Sequence, residues 1–171
     1  MTDNQKQATL LLKRAILEHD VVTAKVSIEC GADLDKVTAY GDTQLLTLID
    51  SCHDDEANSS DLLKIVVMLL GQNNNVNQAN MYGTTALMVA SSHGLFRVAE
   101  HCLSMGADPN AVDKAGFTAL TFAVRSGDLS LARLLLANGA TCNAGTKNII
   151  SLVPDPQGRG SFLAAVLRVH V

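Results

Sequence analysis

Cys52-His53-Asp54-Asp55-Glu56 places a thiol, an imidazole and three carboxylates in one unbroken run. These are the side chains that hold metal ions. A metal site needs ligands that converge from fixed positions, and neighbours on a polar loop do not converge. His101-Cys102 pairs a base with a nucleophile, yet adjacent residues of a helix point in different directions, and Cys102 falls at a leucine-type core position. The chain carries no phosphate-cradling glycine loop and no serine-nucleophile elbow. The expectation is a protein without catalysis, cofactor or metal.

The elements around these residues follow a period. Gly83 and Gly116 stand 33 residues apart, as do Gly106 and Gly139. Gly83-Thr84-Thr85-Ala86-Leu87 answers Gly116-Phe117-Thr118-Ala119-Leu120, and Gly106-Ala107-Asp108-Pro109-Asn110 answers Gly139-Ala140-Thr141-Cys142-Asn143. A fixed period of this size signals a solenoid of stacked units rather than a globule around one buried active site. Each unit reads as two short antiparallel helices and a turn. In the last, Thr118 to Ser126 is the first helix, with Thr118 as N-cap and Leu120, Ala123 and Val124 on the buried face. Gly127 breaks the chain, Asp128 or Ser130 caps the second helix, Leu131, Leu134 and Leu135 face the core, and Gly139 ends it. The preceding unit repeats this grammar over Thr85 to His93 and Phe96 to Met105, with Leu87, Ala90, Val98, Cys102 and Leu103 inside.

Two earlier units depart from it. Gly41 to Gly83 is nine residues longer than the period. The surplus falls in the acidic stretch 52–60, and loops tolerate such insertions at modest entropic cost. Asn73 stands where a helix-ending glycine is expected, and Asn is a good substitute in a left-handed turn. The first unit is marked by Gly31-Ala32-Asp33-Leu34-Asp35 and by Leu12, Ala15 and Ile16. Lys6, Lys13, Arg14 and Glu18 are expected to charge its outer side. The predicted layout is a disordered 1–6, repeats over 7–37, 38–79, 80–112 and 113–145, and an irregular tail over 146–171.

Composition narrows the partners. Hydrophobic residues make up 47% and aromatics only 4% of the 171 residues, so the core is built from Leu, Val, Ile and Ala. Thirteen basic against seventeen acidic residues give a net charge of −4, with no basic stripe, which argues against nucleic acid and against an anionic membrane surface. No apolar run is long enough to span a bilayer. The four cysteines, Cys30, Cys52, Cys102 and Cys142, show no C-x-x-C pairing and read as free thiols of a reducing compartment. With a polar Met1 to Gln7, a cytoplasmic or nuclear protein is expected.

These units resemble ankyrin repeats. Asp113-Lys114-Ala115-Gly116-Phe117-Thr118-Ala119-Leu120 is similar to the family's opening D-x-x-G-x-T-P-L, and Leu134-Leu135-Leu136-Ala137-Asn138-Gly139-Ala140 to its close. The family's T-P-L-H appears here as Thr43-Gln44-Leu45-Leu46, Thr85-Ala86-Leu87-Met88 and Thr118-Ala119-Leu120-Thr121. Without its proline and histidine, lower stability than a consensus array is expected. The resemblance implies an all-α solenoid with β-turn-like tips, whose concave face of tips and first helices docks a protein partner. The implied partner-binding residues are Tyr40, Asp42, Met81, Tyr82, Thr84, His93, Lys114, Phe117 and Arg125. Both tyrosines lie in this set. Each aromatic is either an anchor for a partner or packing for the neighbouring turn. Short ankyrin proteins include inhibitors of cyclin-dependent kinases, similar to this chain in size, so an adaptor or inhibitor role is implied. Asn110 is similar to asparagines that hydroxylases modify in ankyrin repeats.

A fifth unit due near Thr146 is expected to fail, because Pro154 and Pro156 fall where the period puts its first helix. Phe162, Leu163, Leu167 and their apolar neighbours then either cap the array or leave an end face that binds another chain. A monomer is expected in the first case, and a self-associating scaffold component in the second.

Overall fold

The computed structural model describes residues 2–18, 20–34, 38–51, 60–72 and 75–152. These residues form α1 (Asp3–Glu18), α2 (Val21–Glu29), α3 (Gln44–Asp50), α4 (Ser60–Gly71), α5 (Ala86–Ser92), α6 (Phe96–Ser104), α7 (Ala119–Ser126), α8 (Leu129–Ala137) and α9 (Ala144–Leu152), with no strand among them. Helices pair as α1 with α2, α3 with α4, α5 with α6 and α7 with α8. First helices stack in the order α1, α3, α5, α7, α9, and second helices in the order α2, α4, α6, α8. The core lies between these two layers and is aliphatic. Leu12, Ile16, Leu48, Ile49, Ile65, Leu69, Leu87, Leu95 and Leu120 are fully enclosed.

The starts of the helices are chemically determined. Thr43, Thr85 and Thr118 each accept, through the side-chain oxygen, an amide of the first turn of α3, α5 and α7. Such a cap satisfies a donor that the helix cannot. Asp20 and Asp128 cap α2 and α8 in the same way. Two amides and the Thr23 hydroxyl donate to Asp20. They hold its carboxyl below the usual range, the Thr23 hydroxyl contributing most.

Three sequence expectations need correction. Residues 1–6 are not wholly outside the fold, because α1 begins at Asp3. Thr2 and Gln5 cap it reciprocally: the Gln5 amide donates to Thr2 Oγ1 and the Thr2 amide to Gln5 Oε1, at 3.3 and 3.0 Å. The outer side of the first unit is not purely charged either. The pairs Lys6–Asp3 and Arg14–Glu18 are there, but Leu10, Leu11, Val22 and Val26 are also exposed.

The third correction concerns the tail, whose start is helical. α9 begins at Ala144, 25 residues after the start of α7 rather than 33. It is a first helix without the tip that precedes α3, α5 and α7. Asn143 caps it, accepting from the Thr146 amide at 2.9 Å, and buried Thr146 shares a 2.9 Å hydrogen bond with Thr121 of α7. A Cβ on Gly145 would meet the Gly116 carbonyl oxygen at 2.7 Å and Phe117 Cδ1 at 3.2 Å, so a glycine there lets α9 settle against the last tip. The expectations for the 52–60 insertion, apart from Ser60 at the start of α4, for Asn73 and for the apolar segment Phe162, Leu163 and Leu167 lie outside the described residues.

Candidate protein-binding surface

Each tip is a tight turn closed by its first side chain. Asp113 Oδ1 accepts from the amides of Ala115 and Phe117 at 2.9 and 2.8 Å. Asn80 Oδ1 does the same for Tyr82 and Thr84, and Thr38 Oγ1 for Tyr40 and Asp42. Three residue types thus perform one task, since each offers an oxygen at the same reach from the backbone. Sequence reading singled out neither Thr38 nor Asn80; their spacing before Gly41 and Gly83 was the available signal.

The tips are joined to one another. The Met81 amide donates to the Tyr40 carbonyl at 3.0 Å, and the Lys114 amide to the Tyr82 carbonyl at 2.9 Å. At the end of the array the Asn143 side chain donates to the Gly116 carbonyl instead. On the opposite side, loops are stitched by asparagines. Asn77 bridges to Gly106 and Asp108, and Asn110 donates to the Gly139 carbonyl and accepts from Thr141 N and Oγ1. Both ends of the Asn110 amide are therefore engaged across units. Asn110→Ala is expected to destabilise the protein by about 0.5–1.5 kcal/mol, the net scale of hydrogen bonds whose partners water can reach. A urea melt reads this as a lower midpoint with an unchanged m-value.

This framework carries the predicted binding residues. Tyr40, Met81 and Tyr82 remain 59%, 50% and 52% exposed. The two tyrosine rings stack at 6.4 Å with an interplanar angle of 25°, so the aromatics both pack on their neighbours and face solvent. Phe117 differs: it is half-buried, edge-on to Phe122 at 6.0 Å. Arg125 lies over the Phe122 ring at 6.0 Å, a cation–π arrangement, and Phe122 is a surface contributor that sequence reading left out. His93 comes within 3.4 Å of Asp50. Asp42 accepts from the Thr38 hydroxyl and the Asn80 amide group, each at 2.8 Å. Thr84 is half-buried and lines a cavity of about 550 Å³ with Asp42 and Asp50. Lys114 is exposed at the last tip. Tyr40, Asp42, Met81, Tyr82, Thr84 and His93 thus gather around the second and third units, and Lys114, Phe117 and Arg125 continue this surface onto the fourth, where Lys114 adjoins Tyr82.

Cys52 to Glu56 lie outside the described residues, and among the described residues no His, Cys, Asp or Glu cluster could hold a metal ion. Burial pushes the Cys102 thiol up to about 12, so it carries almost no thiolate at neutral pH. Cys30 is exposed. In native protein at pH 8, a disulfide reagent is expected to label Cys30 promptly and Cys102 only after unfolding, read by peptide mass spectrometry. Prompt labelling at Cys102 would mean that α6 opens readily.

No described helix is long and apolar enough to cross a membrane. No curated protein is matched by the chain. A family profile described as ankyrin repeats (3 copies) matches residues 55–146, more than half of the chain, and ankyrin repeats in general mediate protein–protein interaction. The match spans α4 to the start of α9, the part that holds the Asn80 and Asp113 tips and the Asn77 and Asn110 bridges, and the chain belongs to the ankyrin-repeat family.

Proposed function

We propose that this protein is a non-catalytic adaptor or inhibitor that holds a protein partner on its tips and first helices. The observation that supports this most is the exposed Tyr40–Tyr82 stack with Met81 beside it. Large apolar side chains left half in water at turn tips do little for folding. On a hydrogen-bonded ladder they are pre-ordered, so binding loses little side-chain entropy, and tyrosine is enriched among the residues that dominate binding energy.

Affinity capture from a lysate with quantitative mass spectrometry tests it. Wild type is compared with Tyr40→Ala/Tyr82→Ala and with a quadruple variant that adds Met81→Ala and Phe117→Ala. The double variant leaves Phe117, which packs against Phe122, in place. A partner retained by wild type is expected to fall at least tenfold with the double variant, while circular dichroism and melting stay close to wild type. Equal capture by the folded variants would sink the assignment of this surface.

A further inference from the structure

We infer that the partner is a segment of opposite charge at its two ends, with an arginine or lysine seated between Asp42 and Asp50 and an acidic residue near Arg125. This rests on the concave face being the binding surface and adds the chemistry of what binds there.

Equivalent positions on successive first helices show the charge pattern. Seven residues beyond the caps Thr43, Thr85 and Thr118 stand Asp50, Ser92 and Arg125. Four residues beyond the same caps and beyond Asn143 stand Thr47, Val89, Phe122 and Lys147. The strip therefore runs from negative through neutral to positive along the array. Lys114 is exposed on the last tip. Asp113 beside it accepts two neutral amides of its own turn and keeps its charge, so the positive end rests on Arg125 and Lys147.

A hollow lies at the negative end. The cavity of about 550 Å³ is bounded by Leu17 of α1, Leu46 of α3 and Val89 of α5, with Asp42 and Asp50 as its charged lining. Among the described residues no lysine or arginine lines it. The partners of Asp42 are neutral donors, the Thr38 hydroxyl and the Asn80 amide, so its charge is not neutralised by them. Asp50 is largely exposed, and among the described residues its side-chain ion-pair partner is His93, at 3.4 Å. Three aliphatic walls and two carboxylates suit a side chain with an apolar stem and a cationic head. Neighbouring helix axes lie about 8–10 Å apart, so Asp50 and Arg125, two steps apart, span about 16–20 Å. An extended chain covers that in about five or six residues, which sets the separation of the basic and acidic residues.

Random twelve-residue peptides displayed on phage and selected on wild-type protein test this. The expected binders carry Arg or Lys and, about five or six residues away, Asp or Glu. Asp50→Arg is expected to weaken a synthesised binder at least tenfold, and replacing the peptide's basic residue by Glu to restore most of that loss. Binders without a basic residue, or indifferent to Asp50→Arg, would overturn the inference. If those same binders are lost with Tyr40→Ala/Tyr82→Ala, the binding surface stands and the charge pattern alone fails. If they are indifferent to the tyrosine variant as well, both readings fail.

Discussion

Gly83→Ala is expected to lower stability by about 2–4 kcal/mol although it adds one methyl group. Two independent effects act at this residue. Its φ is +80°, a left-handed conformation in which an L side chain crowds the following carbonyl, at about 1–2 kcal/mol. A Cβ there would also stand 3.1 Å from Asp113 Cα and 3.3 Å from Lys114 N. Both are backbone atoms of the next tip, and they are held in place by the Lys114-to-Tyr82 hydrogen bond and by the turn around Asp113. The neighbour can yield only by stretching those bonds. Gly106→Ala is the control, because its φ is +85° and nothing lies within 4 Å of its Cβ. It isolates the conformational effect, so Gly83→Ala should melt clearly below it in urea. Equal midpoints would mean that the tips are not in the close register described here.

The parts of the fold that were legible in the sequence are those that each unit encodes for itself. Thr118 and Asp128 cap the helices as read, Leu120, Ala123, Val124, Leu131 and Leu135 are buried, and Gly139 follows the end of α8 with φ +87°. Errors arose where a unit's boundary depends on its neighbour. The period placed a fifth first helix across Pro154 and Pro156; the tip is instead omitted and the helix begins at Ala144, ten residues before the first of these prolines. That economy depends on Asn143 bonding Gly116 and Thr146 together, and no local pattern distinguishes such an asparagine from Asn77 or Asn110, which stitch loops. The exposed tip aromatics were legible as candidates from their place beside Gly41 and Gly83. Their stacking was not, because it depends on how closely two tips approach. The grading from Asp50 to Arg125 was present in the sequence but becomes visible only once the caps fix which positions are equivalent.

Leu120→Ala is expected to cost about 2–5 kcal/mol, the range for removing a large enclosed aliphatic side chain, and to change how the array unfolds. Leu120 is fully buried on α7, which packs against α5, α8 and α9. In a stacked array stability is roughly the sum of unit terms and nearest-neighbour interface terms. A cavity on α7 therefore weakens the last unit itself, its contact with the unit before it and its hold on α9. The units before α7 keep their own contacts. The expected result is a urea transition that broadens or splits. Hydrogen exchange should accelerate first in α7, α8 and α9, while α3 and α5 keep near wild-type protection. Leu48→Ala, at an equally enclosed position on α3, serves as the internal counterpart. It has structure on both sides, so its loss should lower the whole transition and spread faster exchange through α1, α3 and α5. A single sharp transition with uniform acceleration in both variants would instead mean that the interfaces are strong enough to keep the array one cooperative unit. In that case the tips that carry Tyr40 and Phe117 would lose their order together.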